Sequence, residues 1–307
     1  MTFRALTSFH YFRERNMAEL VDLLGARYGG DVHLFADSGA FSAATLGASV
    51  TLPDYRAWLL DWRHLITTAA TLDVIGDPDA TARHTTALED AGLTVLPTFH
   101  VGTPWPVLED LCARYRYVAL GGMVPYWRRP RELMRWLVRC FRIAAHTGTV
   151  FHGFGQTNVD IVKALPFYSV DSSSWASGAR FGKVRIWDDL RGRMREIKAG
   201  DPVMSHRFAS GLREQGADPA LVGRTGFALR MDGKSDEEFY REDAMMRGSN
   251  GLAFHQLGLY LARRHQVPPP PGWEHPGTCL YLADTHFKNF TPAAVAVGAH
   301  TRKDTPA

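Results

Sequence analysis

The 307-residue sequence has only three cysteines, which lie far apart at Cys112, Cys140 and Cys279. Three separated thiols do not form a disulfide framework, and so low a number is typical of proteins in a reducing compartment. The sequence also lacks a run of about 20 apolar residues, the length that a membrane-spanning helix requires. Its first residues, MTFRALTSFHYFRERN, lack the apolar segment of a signal peptide. We therefore expect a cytoplasmic protein without a membrane partner.

The sequence has little excess charge of either sign. Its 35 Lys and Arg residues and 32 Asp and Glu residues give a formal net charge of +3. So mild a charge permits a polyanionic partner but does not require one. Hydrophobic residues make up 45% of the chain and charged residues 22%, values that are ordinary for a globular protein with its own core.

Up to about residue 175, short apolar runs alternate with longer amphipathic segments. This alternation predicts parallel strands that helices join in right-handed crossovers. Seven such units favour an α/β fold of the TIM (β/α)8 barrel type over an open sheet. The predicted strands cover 3–9, 33–39, 70–76, 94–100, 117–123, 149–155 and 167–171, and the predicted helices 16–29, 52–68, 79–91, 104–115, 130–146 and 157–165.

The position of the eighth strand is less distinct. The candidates are residues 183–189 and a run near 201–208. The catalytic barrel is therefore predicted to cover residues 1–205. A mostly helical C-terminal extension that packs on the barrel is predicted over residues 206–294, and a loose tail over residues 295–307.

Polar residues follow most of the predicted strands, and barrel enzymes build their active sites at these strand ends. Asp37 in ADSGAFS and Asp171 in FYSVDSSSW each follow an apolar strand and precede small residues, which leave room for a ligand. Two carboxylates at one active site suit a substitution reaction at the anomeric carbon of a sugar. The ionised carboxylate attacks or stabilises C1′, and the other, kept neutral by its surroundings, protonates the leaving group.

Three serines, Ser172 to Ser174, directly follow Asp171. Their hydroxyls can donate hydrogen bonds to Asp171, which would favour its ionised form. They can also cap the helix that follows. Both roles are open at this point, for different serines.

Several motifs, in this order, resemble those of the tRNA-guanine transglycosylases (queuine tRNA-ribosyltransferases). DSGAF at 37–41 resembles the family's DSGGF motif, and ALGGMV at 119–124 is similar to its glycine-glycine substrate loop. VFHGFG at 150–155 resembles the strand beside the base pocket, and SVDSSSW places Asp171 at the nucleophile. The resemblance covers roughly residues 1–180, with a shorter spacing between the two aspartates than in the family.

Three segments, PTFHVG, HGFGQT and PFYSVDSSSW, most resemble sequences of the phage and bacterial branch that acts on DNA, the 7-deazaguanine DNA transglycosylases. This resemblance implies exchange of guanine in DNA for a free 7-deazaguanine base of the preQ0 type. The protein would then act in the cytoplasm, which is the host cytoplasm if a phage encodes it.

In the mechanism that the resemblance implies, the aspartate matching Asp171 attacks C1′ and displaces guanine, and the incoming base resolves the covalent glycosyl-enzyme. The aspartate matching Asp37 carries protons to and from the bases. Phe41 or Tyr126 is a candidate for stacking on the base. The residues expected to bind the base are Ser38, Gly39, Phe41, Asp73, His100, Gly121, Gly122, Met123, His152 and Gly153.

One element of the tRNA enzymes is missing. They carry a Cys-x-Cys-x-x-Cys plus His zinc site after the nucleophile, and this sequence has no such cluster. His275, Cys279 and His286 are irregularly spaced, whereas structural zinc sites usually have tighter paired spacing. We interpret them as scattered polar residues and expect no cofactor. Loss of the zinc element favours a DNA substrate or a different docking mode.

Basic residues cluster after the predicted nucleophile and after the Gly-Gly loop. Contact with phosphates is one interpretation. The other is a solvated face that Asp188, Asp189 and Glu196 balance. The candidates for nucleic-acid binding are Arg128, Arg129, Arg180, Lys183, Arg185, Arg191 and Arg193.

Three other functions are consistent with parts of the sequence. They are a transglycosylase acting on tRNA, a barrel glycoside hydrolase that uses Asp37 and Asp171, and a non-catalytic nucleic-acid-binding barrel. The order of the DSGAF and Gly-Gly motifs argues against the hydrolase. The sequence leaves open the oligomeric state, the DNA sequence context and the particular deazapurine.

Overall fold

The structure, a computed structural model, describes residues 2–273 and 277–303. The strands are β1 (Phe3–Ser8), β2 (Val32–Asp37), β3 (Ile66–Ala69), β4 (Thr98–His100), β5 (Tyr117–Gly121), β6 (Val150–Gly153), β7 (Ser169–Ser172), β8 (Lys183–Asp188), β9 (Arg193–Lys198) and β10 (Cys279–Ala283). The helices are α1 (Phe9–Phe12), α2 (Met17–Tyr28), α3 (Ala40–Thr45), α4 (Leu52–Trp62), α5 (Pro78–Glu89), α6 (Trp105–Arg114), α7 (Pro130–Ala145), α8 (Val159–Ala164), α9 (Ser174–Arg180), α10 (Pro202–Arg207), α11 (Ala209–Glu214), α12 (Pro219–Val222), α13 (Asp236–His265) and α14 (Phe287–Lys303).

Among the described strands, eight form one curled parallel sheet, here called the main sheet. Its order is β3-β2-β1-β10-β7-β6-β5-β4. The edge strands approach one another at an isolated parallel bridge between Ala70 and Leu96. Leu96 N–H donates to Ala69 O at 2.8 Å, and Thr71 N–H donates to Leu96 O at 2.9 Å. The α/β class and its TIM-like arrangement are thus confirmed, but pairing along this seam is limited to one bridge, so the sheet is not a continuously hydrogen-bonded barrel.

The eighth strand of the main sheet is β10, from the segment that was predicted to be a helical extension. It lies between β1 and β7, where Tyr281 pairs with Asp171. Both predicted candidates were wrong. Residues 183–188 form β8, which pairs antiparallel with β9 in a separate hairpin, and residues 202–207 form helix α10. The boundary predicted at residue 205 therefore does not separate the main sheet from the rest of the chain.

The residues predicted to be a loose tail are largely helical. Helix α14 extends from Phe287 to Lys303, and Phe290, Ala293, Ala294 and Val297 are fully buried. These four residues follow the i, i+3, i+4, i+7 pattern of a helix with one apolar face. The predicted tail was wrong up to residue 303, and its last four residues lie outside the described part of the chain.

Helix α13 runs unbroken over 30 residues, although glycines such as Gly248 and Gly251 favour a break or kink within a helix. Both glycines are buried, and a Cβ atom on Gly248 would lie 3.2 Å from Pro292 O in α14. These glycines thus allow two helices to approach closely rather than interrupting one. None of the helices in residues 2–273 and 277–303 has both the length and the apolar character of a bilayer span.

The main sheet separates two apolar clusters, because successive side chains of a strand point to opposite faces. The inner cluster lies within the curl and includes Phe35, Tyr117, Tyr168 and Tyr281. The outer cluster lies between the sheet and the helices and includes Val170. Asp171, the next residue of β7, therefore points to the inner face.

Candidate active site

A cleft of about 630 Å³ opens where the main-sheet strands end. Its volume falls within the range of roughly 300–1,000 Å³ that is typical of small-molecule sites. The loops after β2, β3, β4, β5 and β6 contribute to its walls. The predicted site residues that line it are Asp37, Gly39, Phe41, Asp73, His100, Gly121, Gly122 and Met123.

Asp37 ends β2 at the wall of the cleft. Part of the residue faces the cleft, but its carboxyl group lies deep among protein atoms. Ser8 Oγ donates to Asp37 Oδ2 at 3.2 Å, and Gly39 N–H donates to it at 3.0 Å. Burial, and then the negative charges of Asp73 and Asp171, raise the pKa of Asp37 from 3.8 to about 7. Asp37 can therefore give and take a proton near neutral pH, as a general acid–base must.

The glycine that follows the Asp37–Ser38 pair is required by the backbone. Gly39 has a φ of +70°, in the left-handed region. A Cβ atom there would lie 2.8 Å from His10 Cβ and 2.9 Å from Ser8 Cβ. The tight turn brings the Gly39 N–H onto the Asp37 carboxylate, so the DSG part of the motif has a direct structural cause.

Asp73 and His100 form a pair on the cleft wall. His100 Nε2 lies 2.7 Å from Asp73 Oδ2, and Ser38 Oγ donates to Asp73 Oδ1 at 3.5 Å. A Cβ atom on Gly121 would lie 2.8 Å from His100 Cδ2, so the glycine leaves room for the imidazole. Ser38 is fully buried behind the pair and supports Asp73 rather than lining the cleft.

Asp171 lies beside the cleft on the inner face of β7 and is 7% exposed. Gly155, which lines the cleft, donates its N–H to Asp171 Oδ1 at 2.7 Å. His152 Nε2 lies 3.3 Å from the same oxygen but is not aligned for a hydrogen bond. Both contacts are made to Oδ1, and Asp171 itself is not among the residues that line the cleft.

The serines after Asp171 serve the next helix rather than the carboxylate. Ser172 Oγ accepts from Ser174 N–H at 3.0 Å, at the start of α9. Asp171 accepts from the Gly155 N–H instead. Ser173, the N-cap residue of α9, makes no side-chain capping hydrogen bond, so of the three serines Ser172 is the one whose hydroxyl accepts from the first N–H of the helix.

His152 and Gly153 do not face the cleft, in contrast to the prediction that they bind the base. His152 is fully buried, with its ring 4.5 Å from that of Phe35 and 4.6 Å from that of Phe154. Its Nδ1 lies 2.5 Å from Ser169 Oγ. A Cβ atom on Gly153 would lie 2.8 Å from Phe167 Cε1. Both residues pack beneath the cleft.

A polar chain beneath Asp171 was not predicted from the sequence. Tyr117 OH and Ser169 Oγ share a hydrogen bond, and Ser169 is bonded in turn to His152. Both Tyr117 and Ser169 lie within apolar strands, where no local pattern distinguishes them. Phe154 and Gly155 were also missed, although they belong to VFHGFG. Both candidates for stacking, Phe41 and Tyr126, line the cleft.

Two of the basic candidates lie at the cleft mouth. Arg128 and Arg129 are exposed on the loop after β5, and Arg129 lines the cleft. Arg129 Nη1 lies 3.5 Å from Glu132 Oε2, a partner on the same exposed turn. Arg180 is exposed at the end of α9. These three side chains remain accessible to a polyanion.

Arg185 is not accessible to nucleic acid, contrary to the prediction. It is buried, and its Nε and Nη2 donate to Glu196 Oε1 at 2.9 and 2.7 Å. It also donates to Ser174 O. Lys183 Nζ lies 2.7 Å from Glu196 Oε2. Arg185 therefore fixes the β8–β9 hairpin to α9, and Lys183 pairs with the same Glu196 carboxylate.

Arg191 and Arg193 lie around Asp188, at 3.4 and 4.0 Å from its Oδ2. The turn between them contacts Lys163, whose Nζ donates to Gly192 O at 2.8 Å. Lys163 is near the end of α8, which leads back to the start of β7. The hairpin turn thus lies toward the end of the main sheet opposite Asp171, and the balanced-face interpretation fits both arginines.

No group of three or more His, Cys, Asp or Glu side chains suited to a metal ion occurs in residues 2–273 and 277–303. Cys279 begins β10 and is buried, whereas His286 follows the end of that strand and is exposed. A five-residue strand separates them by roughly 16 Å. His275, the third residue of the candidate zinc trio, lies outside the described residues.

A scan against protein-family models finds no match for the chain, and no curated protein matches it.

Proposed function

We propose that the protein exchanges guanine in DNA for a 7-deazaguanine base through a covalent intermediate on Asp171. The observation that carries the proposal is a proton-carrying carboxylate, Asp37, on the wall of the cleft, with a second carboxylate, Asp171, beside it. Asp37 has a pKa raised to about 7 by burial and by the nearby Asp73 and Asp171, whereas Asp171 accepts a 2.7 Å hydrogen bond from Gly155 N–H. Such a division between a proton carrier and a nucleophile is what double displacement at C1′ requires.

In the first step, Asp171 Oδ2 attacks C1′ of the target nucleotide. The C1′–N9 bond breaks, its electron pair goes to guanine, and protonated Asp37 gives the leaving base a proton. In the second step, N9 of the incoming base attacks C1′ and loses its proton to Asp37. The bond from C1′ to Asp171 then breaks, and both carboxyl groups return to their starting states.

The cleft also suits the recognition of a guanine-type base. Asp73 supplies carboxylate acceptors, and His100 beside it supplies a ring nitrogen, so the pair can meet the donors and acceptors of a purine edge. Gly121 and Gly122 present backbone along the wall. Phe41, 49% exposed at the mouth, is placed to stack on a bound base.

We further propose that the main sheet is a TIM (β/α)8 barrel with a minimal seam. The Ala70–Leu96 bridge joins the β3 and β4 sides, and β10 supplies the eighth strand. The cleft at the C-terminal strand ends is where barrel enzymes place their chemistry.

The test is incorporation of a mass-tagged 7-deazaguanine base into guanine-containing DNA, followed by denaturing gel and mass analysis of the enzyme. We expect wild type to label DNA and to form an adduct on Asp171. Asp171→Asn should lower incorporation at least about 1,000-fold and form no adduct. Asp77→Asn is the matched control, because Asp77 only caps α5, accepting from Ala80 N–H at 2.8 Å.

Other outcomes separate the competing functions. Labelling of tRNA but not DNA would reassign the substrate to RNA. Hydrolysis of an aryl glycoside that Asp171→Asn abolishes, without base incorporation, would indicate a glycoside hydrolase. Nucleic-acid binding without any adduct or turnover in wild type would indicate a non-catalytic protein.

A further inference from the structure

The loop after β5 exposes a large aromatic side chain next to the cleft. Trp127 is 67% exposed, and the Arg128 guanidinium lies 4.6 Å from the centre of its ring. Tyr126, the preceding residue, lines the cleft, and the Arg129 guanidinium lies 5.8 Å from its ring. Alternating aromatic and arginine side chains of this kind bind single-stranded nucleic acid, because rings stack on bases and guanidinium groups contact phosphates.

Trp127 lines a second depression, here called the flanking groove. Its volume is about 310 Å³. It shares Met123, Val124, Tyr126, Phe154 and Gly155 with the cleft. The two depressions therefore adjoin each other, and the loop that carries Trp127 lies between them.

The flanking groove is close to the proposed nucleophile. Gly155 lines both depressions and donates its N–H to Asp171. When C1′ is at Asp171 and the target base is in the cleft, the sugar must lie near Gly155. The sugar-phosphate backbone then leaves the cleft at this boundary, and the flanking groove is the adjoining concave surface.

We propose that the flanking groove is a subsite for the nucleotide next to the exchanged guanine, whose base stacks on Trp127. Arg128 and Arg129 contact the phosphates on either side of that base. The proposal rests on the proposed function, because it requires a nucleic-acid strand whose target sugar lies at Asp171. It adds the strand contact that holds the target nucleotide in register.

The test compares Trp127→Ala, Trp127→Phe and Phe181→Ala on short single-stranded DNA with one guanine. Phe181 is the matched control, because it is 68% exposed with the Arg180 guanidinium 6.0 Å from its ring but lines neither depression. We expect Trp127→Ala to raise KM for DNA about 5- to 150-fold with kcat nearly unchanged. Trp127→Phe should recover most of the loss, and Phe181→Ala should match wild type.

A second substrate isolates the stacked base. When each nucleotide adjoining the guanine is replaced in turn by an abasic residue, one replacement should raise the wild-type KM and abolish the difference between wild type and Trp127→Ala. Any of three results would overturn the proposal. They are a KM for DNA in Trp127→Ala that equals that of wild type, an equal rise of KM in Phe181→Ala, and a Trp127→Ala effect that persists on both abasic substrates.

Binding of guanine-free DNA, followed by fluorescence polarisation, separates this inference from the proposed function. If wild type exchanges no base but Trp127→Ala still weakens DNA binding about 5- to 150-fold, the proposed reaction fails and the stacking contact stands. If exchange occurs and DNA binding is the same in both proteins, the reaction stands and the subsite fails.

Discussion

Two regions of the molecule surround their carboxylates in different ways. The first is the C-terminal region, residues 183–265, which contains a cavity of about 760 Å³ between the β8–β9 hairpin and α13. There Asp188 Oδ2 lies 3.2 Å from Arg195 Nη2, and Asp189 Oδ1 lies 2.8 Å from Arg263 Nη2. Each of these carboxylates has an arginine partner that neutralises it.

Glu242 in α13 extends the same pattern to the interior. Burial alone would raise the pKa of Glu242, but Lys234 Nζ and Ala228 N–H donate to its carboxylate, and the pKa is lowered. Arg224 donates to the other oxygen. A fully buried carboxylate in this region thus stays charged because two cations face it.

The cleft is the contrasting region. Among the residues that the structure describes, the donors to Asp37 are the neutral Ser8 and Gly39, and Asp73 faces His100. Within the described residues, no Lys or Arg forms an ion pair with these carboxylates or with Asp171. Carboxylates that arginines neutralise hold the fold together, whereas the buried Asp37, which has no such partner, has a pKa raised to about 7, a value that suits proton transfer.

The largest expected effect in this comparison is on catalysis at Asp37. Asp37→Asn should lower base exchange about 100- to 10,000-fold, because the asparagine amide does not carry a proton to and from the bases. Wild-type release of guanine should fall as pH rises through about 7, where Asp37 loses its proton. Single-turnover rates at several pH values measure both effects. A pH profile in wild type that persists unchanged in Asp37→Asn would contradict the assignment.

The next effect is on stability at Glu242. Glu242→Gln should destabilise the protein by about 3–5 kcal/mol, because Lys234 and Arg224 lose the charge that they face. Equilibrium denaturation with urea measures the change. At a temperature where the variant is folded, base exchange should equal that of wild type, and a selective loss of exchange would argue against a purely structural role.

Asp37 should also make stability depend on pH. Its pKa is 3.8 as the reference value and about 7 in the folded protein, so the folded state binds the proton more tightly. This contribution to stability is fully present below about pH 4 and is lost as the pH rises to about 7. Relative to wild type, Asp37→Asn should gain stability over this window, up to roughly 4 kcal/mol. Denaturation curves at pH 5 and pH 8 test the sign.

The smallest expected effect is on the salt dependence of DNA binding, which should differ between arginines at the cleft and arginines on the β8–β9 hairpin. Arg129→Ala, at the cleft mouth, should reduce the slope of log affinity for DNA against log salt concentration by about 1. Arg191→Ala, on the hairpin turn, should leave that slope unchanged. Stability should change by less than about 1 kcal/mol in either variant, since both are exposed. Equal slopes in the two variants would remove the distinction between the regions.

The local pattern of the chain predicted much of the sheet. The runs that became β1, β2, β5, β6 and β7 were predicted because short apolar segments alternate there with longer amphipathic ones. The third strand was predicted at 70–76 but lies at Ile66–Ala69. The polar loop after this strand carries Asp73 to the cleft. Asp73 was therefore predicted correctly as a cleft residue, although it lies in a loop and not in the predicted strand.

β10 could not be recognised in the same way. Its sequence CLYLA is an apolar run like the others, but the hairpin and helices between β7 and β10 hide its relation to the sheet. Its partners β1 and β7 come from distant parts of the chain. Only folding brings these segments together, so no local pattern marks β10 as the eighth strand.

For the candidate site too, some features follow from local sequence and others only from the folded chain. Local sequence placed Asp37, Asp171 and the Gly-Gly loop at strand ends, because hydrophobic periodicity and turn chemistry depend on neighbouring residues. Which charges meet is decided by the folded chain. Arg185 is held by Glu196 and His152 lies beneath Asp171, while the raised pKa of Asp37 depends on burial and on Asp73. Electrostatic and hydrogen-bond partners depend on distances in space between residues remote in sequence, and those distances exist only once the main sheet has curled.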